Sequence, residues 1–587
     1  MPNIKIRSLE LKNYRSFGNA SQKFDFTKAI DKKLPLAIIG YNNVGKTNLI
    51  NSILYGIGHT FVSENTFEKH DLFNLTFENN ISIKSNLLRQ DSKSNEQAAK
   101  YLPGEDHVIK TSCEHDQIKS NGGQTFFGKN KNYQIFYINF HKIKEEISTQ
   151  KTSWGKLQSF LAKHIKKLLD KEKQIPGYET KRNNFRENSN ININKILENT
   201  KLSQFIQKIK NNYSTNLRDT NCEVDFGLPE YEDIFLQMIF KIGLNGNNNK
   251  LIPINHFGDG YISMFVMAVI QAIAEEEVDD KCLFIFEEPE SFLHENHQEY
   301  FYKTVLCELA KKGHQVIYTT HSDKMVDITE PDSLIRLKFN NEGTIKAFPT
   351  QNVVNPLEKP ENQEVITQYN QYIKSIEPNL NKILFSEKVI LVEGPNDLLV
   401  YKYLIEKKAR QKANINEKVK DRTNEEKQKW AEVYLNFNNI AIIPHHGKAT
   451  AYLLADLCKY LGVDYYLIND WDFDSLELDI DTIKTFETEE KLKQSDIYES
   501  QTDSNKKGMI TTNWKLLDSA KNNQIHFNIK KLETIINYNS DDKSPLKIWK
   551  TIKQKYINVD NIKTDIFPET LSNFLFENEK NQTSLSI

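Results

Sequence analysis

The chain has 587 residues, of which 38% are hydrophobic and 11% aromatic. That length exceeds one ordinary core and points to about two to four domains, and the apolar content excludes wholesale disorder. A net charge of −2 excludes a globally basic nucleic-acid binder, so any DNA contact rests on a local basic face or on bound metal ions.

The five cysteines, Cys113, Cys222, Cys282, Cys307 and Cys458, include no C-x-x-C pair. This argues against a zinc ribbon and a disulfide framework and suits a reducing compartment. From Met1 to Arg15, Ile4, Ile6, Leu9 and Leu11 alternate with Lys5, Arg7 and Lys12, which predicts a strand rather than a signal peptide. No stretch approaches the ~20 apolar residues that span a bilayer. The expectation is a soluble, cytoplasmic protein with no membrane partner.

Residues 1–80 carry strand signals and one strong helix start. Residues 85–130 are polar, as in Asp91–Lys100, and read as an exposed excursion. Residues 142–220 turn helical and charged: Leu157, Phe160, Leu161, Ile165, Leu168 and Leu169 recur at helical spacing, and Lys/Asn-rich turns separate them from Ile193–Ile209. An α/β rhythm returns over 250–340, with apolar runs Leu283–Phe286 and Val316–Tyr318. A Pro- and Asn-bearing stretch, roughly 350–380, precedes a second α/β pattern that begins at Lys388. There is no internal repeat.

Gly40-Tyr-Asn-Asn-Val-Gly45-Lys46-Thr47 matches G-x-x-x-x-G-K-[ST] in full. It follows the apolar run Leu36–Ile39 and opens the helical pattern Asn48–Leu54, the context that the motif requires. Glycines let backbone N–H groups close around a phosphate chain, and the helix N-terminus adds positive dipole. Lys46 reaches the terminal phosphates and Thr47 ligates Mg²⁺. Gly40, Asn43, Gly45, Lys46, Thr47 and Asn48 are the candidate ATP contacts. The alternative is a strand-to-helix turn that binds nothing, and the flanking elements argue against it. A second apolar run ends on Glu287-Glu288-Pro289-Glu290. Parallel strands deliver side chains at their C-terminal edge, where nucleotides bind. There Glu287 is placed to hold Mg²⁺ and Glu288 to polarise the attacking water; a solvated strand end is the bland alternative.

These elements resemble the ABC ATPases. Gln315–Ser322, containing His321, follows Glu288 at the spacing of the switch-histidine strand, and Phe257-Gly258-Asp259-Gly260 occupies the signature-loop position. Lys12–Phe17 looks like the first strand of RecF, SMC and OLD-type ATPases, and Asp71 sits where those proteins carry a metal-sensing loop. Phe257 departs from the usual signature Ser, and Asp323 from the usual Pro. The resemblance implies that Gly258 and Gly260 of one subunit close over ATP held by another. A homodimer or dimer of dimers follows, with the 142–220 insert as a dimerisation element.

Lys388–Asp397 is a buried-strand pattern ending on Glu393-Gly394, and Tyr465–Asp472 is another ending on Asp470-Trp471-Asp472. Parallel strands ending in these acids bring carboxylates within metal-bridging distance, where cations or protons must relieve repulsion. Mg²⁺ held there can generate hydroxide and steady a leaving phosphodiester oxygen. Two unrelated solvated strand ends are the alternative.

The pair resembles the Toprim pattern, and after an ABC-type ATPase it resembles the OLD family, which includes the Gabija nuclease subunit and OLD-type retron effectors. The resemblance implies that Glu393, Asp397, Asp470 and Asp472 ligate metal, with Mg²⁺, Mn²⁺ or Ca²⁺ as the ion. Glu533 supplies a further ligand and Lys543 approaches the scissile phosphate. Gly447 fits the intervening turn, and His445 and His446 beside it either contact substrate or form a polar turn. Lys531 stands where an acid is common, lysine neighbours surround Lys543, and Asp397 is a methylene shorter than the usual Glu.

The expected architecture is α/β: an ATPase head (1–141 and 221–350) interrupted by a helical insert (142–220), a linker (351–385) and a Toprim nuclease domain (386–587). The expected function is an ATP-regulated, Mg²⁺-dependent DNA endonuclease, an anti-phage defence effector whose partner is a helicase-like protein or retron RNA–DNA. A RecF-like ATP-dependent DNA clamp is the competing reading, and topoisomerase or primase activity a third.

Overall fold

The computed structural model describes residues 3–60, 62–90, 106–114, 117–121, 135–142, 175–217, 241–243, 251–253, 256–275, 281–349, 355–358, 379–474, 476–520, 524–540 and 542–576. The stretch Asp91–Lys100, the periodic leucines from Leu157 to Leu169, Cys222 and most of 351–385 lie outside the described residues. In the N-terminal half the strands are β1 (Asn3–Lys12), β2 (Gln22–Asp25), β3 (Leu36–Ile39), β4 (Ser82–Gln90), β5 (Asp106–Glu114) and β6 (Gln117–Ser120). They continue with β7 (Ile135–Asn139), β8 (Lys241–Gly243), β9 (Leu251–Pro253), β10 (Leu283–Glu287), β11 (Gln315–Thr319), β12 (Leu334–Asn340) and β13 (Gly343–Phe348). The C-terminal half adds β14 (Lys388–Val392), β15 (Ile440–Pro444), β16 (Asp464–Asp470) and β17 (Ile525–Asn528).

An antiparallel sheet runs β2-β1-β4-β5-β6, and beside it a sheet ordered β13-β12-β3-β11-β10-β7 is parallel except at β13. The alternation read in β1 buries Ile4, Ile6, Leu9 and Leu11. Its change of phase between Ile6 and Leu9 is met by a register shift between Ile6 and Ser8, since a bulge moves side chains to the other face. The apolar strands β3, β10 and β11 are buried along their whole length, as parallel strands covered on both faces must be. Leu283 and Ile285 face the core built on the helix Lys46–Gly56. Phe284 and Phe286 face a second core with Ile262, Val266 and Ile270 of the helix Asp259–Glu275.

That second core runs on into the C-terminal half, whose parallel sheet is ordered β15-β14-β16-β17. Val389 and Leu391 of β14 join it with Leu453, Leu457 and Leu461 of the helix Lys448–Leu461. Ile390 and Val392 face the opposite way, onto Tyr401, Leu404 and Ile405 of the helix Pro395–Lys412. The junction is therefore packed: Phe348 meets Tyr460 edge-on at 4.9 Å. Leu380, Ile383 and Leu384, at the end of the stretch expected as a linker, are buried. Within the 142–220 insert, two helices are described, Tyr178–Leu197 and Lys201–Leu217. Among the described residues no helix is long and apolar enough to cross a membrane.

Candidate functional site

Strand β3 runs directly into Gly40, and the loop closes onto the helix Lys46–Gly56 through Asn43 at φ +63° and Gly45 at φ +95°. A Cβ on Gly45 would lie 2.4 Å from Ser16 Oγ and 2.8 Å from Thr344 Oγ1, so both the backbone and the space demand glycine. Thr344 Oγ1 donates to the Val44 carbonyl at 2.8 Å, and Asn48 Nδ2 donates to Ser16 Oγ at 2.9 Å. Lys46 is buried, and its ammonium donates to the Gly40 and Tyr41 carbonyls, each at 3.1 Å. Burial, partly offset by Glu288 and Glu290, brings its pKa down to about 8. An incoming polyphosphate would replace two carbonyl dipoles with full negative charge. Asn42, Asn43, Gly45, Lys46, Thr47 and Asn48 line a cavity of about 830 Å³ together with Glu288 and His321.

The ends of β10 and β11 build the far wall, with the end of β7 beside them. Glu288 sits just past β10 at φ +47°, its N–H donating to the Thr319 carbonyl of β11 at 3.2 Å. Its carboxylate pairs with His321 Nε2 at 3.2 Å and with His141 Nε2 at 2.5 Å. The His321 hydrogen bond, aided by His141 against burial, holds the carboxyl down to about 2. Glu288 is thus ionised and aimed into the cavity. Glu287, expected to hold Mg²⁺, is buried and accepts from Tyr137 at 2.7 Å and Asn139 at 2.8 Å, both on β7. Glu290 accepts the His321 N–H at 2.5 Å, which fixes the histidine's backbone. Asp71 is tied to Arg15 at 2.8 Å. Gly258 and Gly260 lie at the start of the helix Asp259–Glu275 and contribute nothing to the cavity lining within one chain. His141 and Glu290 were not anticipated. No spacing rule points to His141, which comes from the end of β7 147 residues before Glu288.

In the C-terminal half, β14 and β16 are adjacent and parallel, with Val392 opposite Ile468. The residues that follow therefore meet: the Asp470 N–H donates to Glu393 Oε2 at 3.1 Å. Asp397, in the first turn of the helix Pro395–Lys412, turns back so that Oδ2 accepts the Gly394 N–H at 3.2 Å. Its Oδ1 is buried with no hydrogen-bond partner among the described residues. Asp470 Oδ1 accepts from Leu532 N–H at 2.9 Å and Asn528 Nδ2 at 3.3 Å, and the Tyr401 hydroxyl in turn donates to Asn528 at 2.9 Å. Burial first, and then the neighbouring carboxylates, push Asp470 up to about 8 and Asp397 up to about 7; Glu393 is raised for the same reasons. Neighbouring acids beside an orphaned buried carboxylate oxygen have the donor chemistry a divalent cation takes, although among the described residues they are not closed around one point.

The two outer acids are turned elsewhere. Asp472, at φ +67°, pairs with the Lys448 ammonium, and Glu533 pairs with Lys543 at 2.8 Å. Burial works against ionisation of Glu533, yet the Lys543 hydrogen bond prevails and lowers its pKa. Among the described residues no three acid, histidine or cysteine side chains close into a metal cage. The five expected ligands therefore divide into Glu393, Asp397 and Asp470, whose pKa values are raised, and Asp472 and Glu533, each paired with a lysine. His445 is buried, with Nε2 3.0 Å from Asn469 and Nδ1 3.0 Å from the Gly447 carbonyl. It belongs to the turn rather than to a substrate surface.

A family profile described as AAA ATPase domain matches residues 4–326, and one described as Overcoming lysogenization defect protein-like, TOPRIM domain matches residues 384–472. The chain is 24% identical over 506 residues to the Old nuclease of Escherichia phage P2, spanning 80% of this chain and 78% of that protein. It is 23% identical over 497 residues to the endonuclease GajA of Bacillus cereus strain HuB5-5, spanning 68% and 70%. Among solved structures it is similar to an SMC head bound to the C-terminal winged-helix domain of ScpA, with a TM-score of 0.33 and 16% identity over 58% of this chain and 96% of that one.

Proposed function

This chain belongs to the OLD family, in which an ATPase domain precedes an OLD-like TOPRIM domain, and from that membership we propose that it is an ATP-binding, divalent-metal-dependent DNA endonuclease. The observation that carries the reading is that the parallel neighbours β14 and β16 end on Glu393 and Asp470, joined through the Asp470 N–H, with Asp397 in the first turn of the following helix and its Oδ1 buried without a partner among the described residues. Those three would hold Mg²⁺ or Mn²⁺, with Asp472 and Glu533 as outer ligands. Such an ion supplies a hydroxide nucleophile and stabilises the leaving oxygen of a phosphodiester. The protein's own part is orientation. The Asp470 N–H aims Glu393, Leu532 and Asn528 hold Asp470, and Lys543 places a half-exposed positive charge at the rim, where a backbone phosphate approaches.

In the ATP site, Lys46 and the loop N–H groups would take the phosphates, Thr47 and Glu287 the Mg²⁺, and Glu288 the attacking water with His321 beside it. Gly258 and Gly260 would come from a second copy. The helix Lys201–Leu217 supports a homodimer, because Leu202, Phe205 and Ile209 are exposed on one face at helical spacing. The GajA similarity supports a role as an anti-phage effector. The test is conversion of supercoiled plasmid by the purified protein with Mg²⁺ or Mn²⁺, with and without ATP. Nicked or linear product that disappears in Glu393→Ala and Asp470→Ala supports the nuclease. DNA binding without product under every metal condition supports the clamp instead.

A further inference from the structure

Lys448 is the first residue of the helix Lys448–Leu461, whose first turn carries no acidic residue. A cation there opposes the helix dipole and is unfavourable unless something local compensates it. The compensation comes from across the site. The Lys448 side chain is only 10% exposed, its ammonium pairs with Asp472, and it donates to Asn513 Oδ1 at 2.9 Å. Asn513 is fully buried and is itself held by Nδ2, which donates to the Trp471 carbonyl at 2.8 Å. The Asp472 backbone is fixed as well, its N–H donating to the Lys530 carbonyl at 2.8 Å. The lysine is thus held by Asp472, on the segment that carries two of the expected metal ligands, and by Asn513, a helix residue bonded to that segment's Trp471 carbonyl, and its charge also acts on Glu393.

We propose that Lys448 is a positioning residue that stands in for a divalent cation at Asp472, so that metal gains this ligand only by displacing the ammonium. The inference rests on the nuclease reading. Its consequence is that Lys448 sets the metal affinity of the site: one positive charge already occupies the ligand and repels the incoming ion.

The experiment uses the full chain and Mn²⁺ alone as probe, with binding read by calorimetry and by the rise in melting temperature on Mn²⁺ addition. Lys448→Met should bind Mn²⁺ at least about threefold more tightly than wild type, because the competing charge is gone and like charge no longer opposes the ion. It should also show a larger melting-temperature rise. Lys448→Gln removes the charge while keeping a hydrogen-bonding group for Asn513, and it decides the matter should the Met variant fail to fold. Lys448→Arg should retain wild-type affinity. Lys515→Gln, which removes a lysine of the helix Ser504–Ser519 paired with Glu489, should also leave it unchanged. Unchanged or weaker Mn²⁺ affinity in both neutral variants overturns the proposal. If wild type takes up no Mn²⁺ and Glu393→Ala behaves identically to it, the metal-site reading has failed instead.

Discussion

The guanidinium of Arg336, on β12 of the ATPase sheet, donates to the carbonyl of Gly462 at 2.8 Å. Gly462 is the left-handed cap of the helix that begins at Lys448. The same buried side chain donates to the Leu384 carbonyl at 3.1 Å and the Ser386 carbonyl at 2.7 Å, so one cation fastens the two halves through backbone acceptors alone. Arg336→Met would remove the partner of the buried Leu384 and Ser386 carbonyls and of the part-buried Gly462 carbonyl, and we expect a loss on the order of 3 kcal/mol. Urea denaturation followed by far-ultraviolet circular dichroism checks this: a variant within about 0.5 kcal/mol of wild type would show that the clasp is dispensable.

Lys46→Ala should reduce ATP affinity by about two orders of magnitude or more, since a charge-assisted contact to phosphate is lost from a buried position. Wild-type affinity should itself fall as pH rises from about 7 to 9, because the nucleotide-free ammonium gives up its proton near 8 and a neutral amine cannot balance phosphate charge. Titration of a fluorescent ATP analogue across that range measures both effects. A flat profile would contradict the second.

Glu288→Gln should retain ATP binding within a few-fold, while hydrolysis drops by roughly two orders of magnitude, the usual weight of a general base. His141→Ala should weaken hydrolysis less, because His321 still holds the carboxylate at 3.2 Å. Phosphate release measured beside nucleotide binding on the same preparations separates the two roles.

The protons on Asp470 and Asp397 make a stability prediction with a definite sign. Both carboxyls keep their protons in the fold to higher pH, about 8 and about 7, than the ordinary value of 3.8. Their contribution to folding is therefore greatest below the unfolded value and is lost as pH rises through the folded ones. Metal-free wild type should lose melting temperature between about pH 5 and 8 relative to Asp470→Asn, which cannot titrate there. At pH 8 the variant should be at least as stable as wild type. Metal affinity should run the opposite way and increase over pH 6 to 8.5, because binding must expel the same protons. Melting curves in chelator and Mn²⁺ titrations across the pH series test both.

A homodimer or dimer of dimers is expected by light scattering, because Gly258 and Gly260 do not reach the cavity of their own chain. Replacing Leu202 and Phe205 together by Asp should shift the mass toward monomer and lower ATP turnover, with single-site ATP binding retained. A strictly monomeric wild type, with and without ATP, would sink the composite site.

What the sequence determined by itself is what a short segment can encode. The phosphate loop needs one apolar strand, eight residues with defined backbone freedom and a helix start, all within Leu36–Gly56, and it folds as read. Glu393 and Asp470 were legible for a similar reason: a buried parallel strand must end, and the acid after its last apolar residue lies at the sheet's C-terminal edge. Tertiary structure alone decided who answers those groups. His141 reaches Glu288 because β7 lies beside β10, Lys448 reaches Asp472 because its helix packs along β16 and starts where that strand ends, and Arg336 reaches Gly462, 126 residues away. Periodicity reports which face of a strand is buried but not which strand lies next to it. Sheet order is settled by packing over the whole chain, and the neutralising partners of each carboxylate follow from that order.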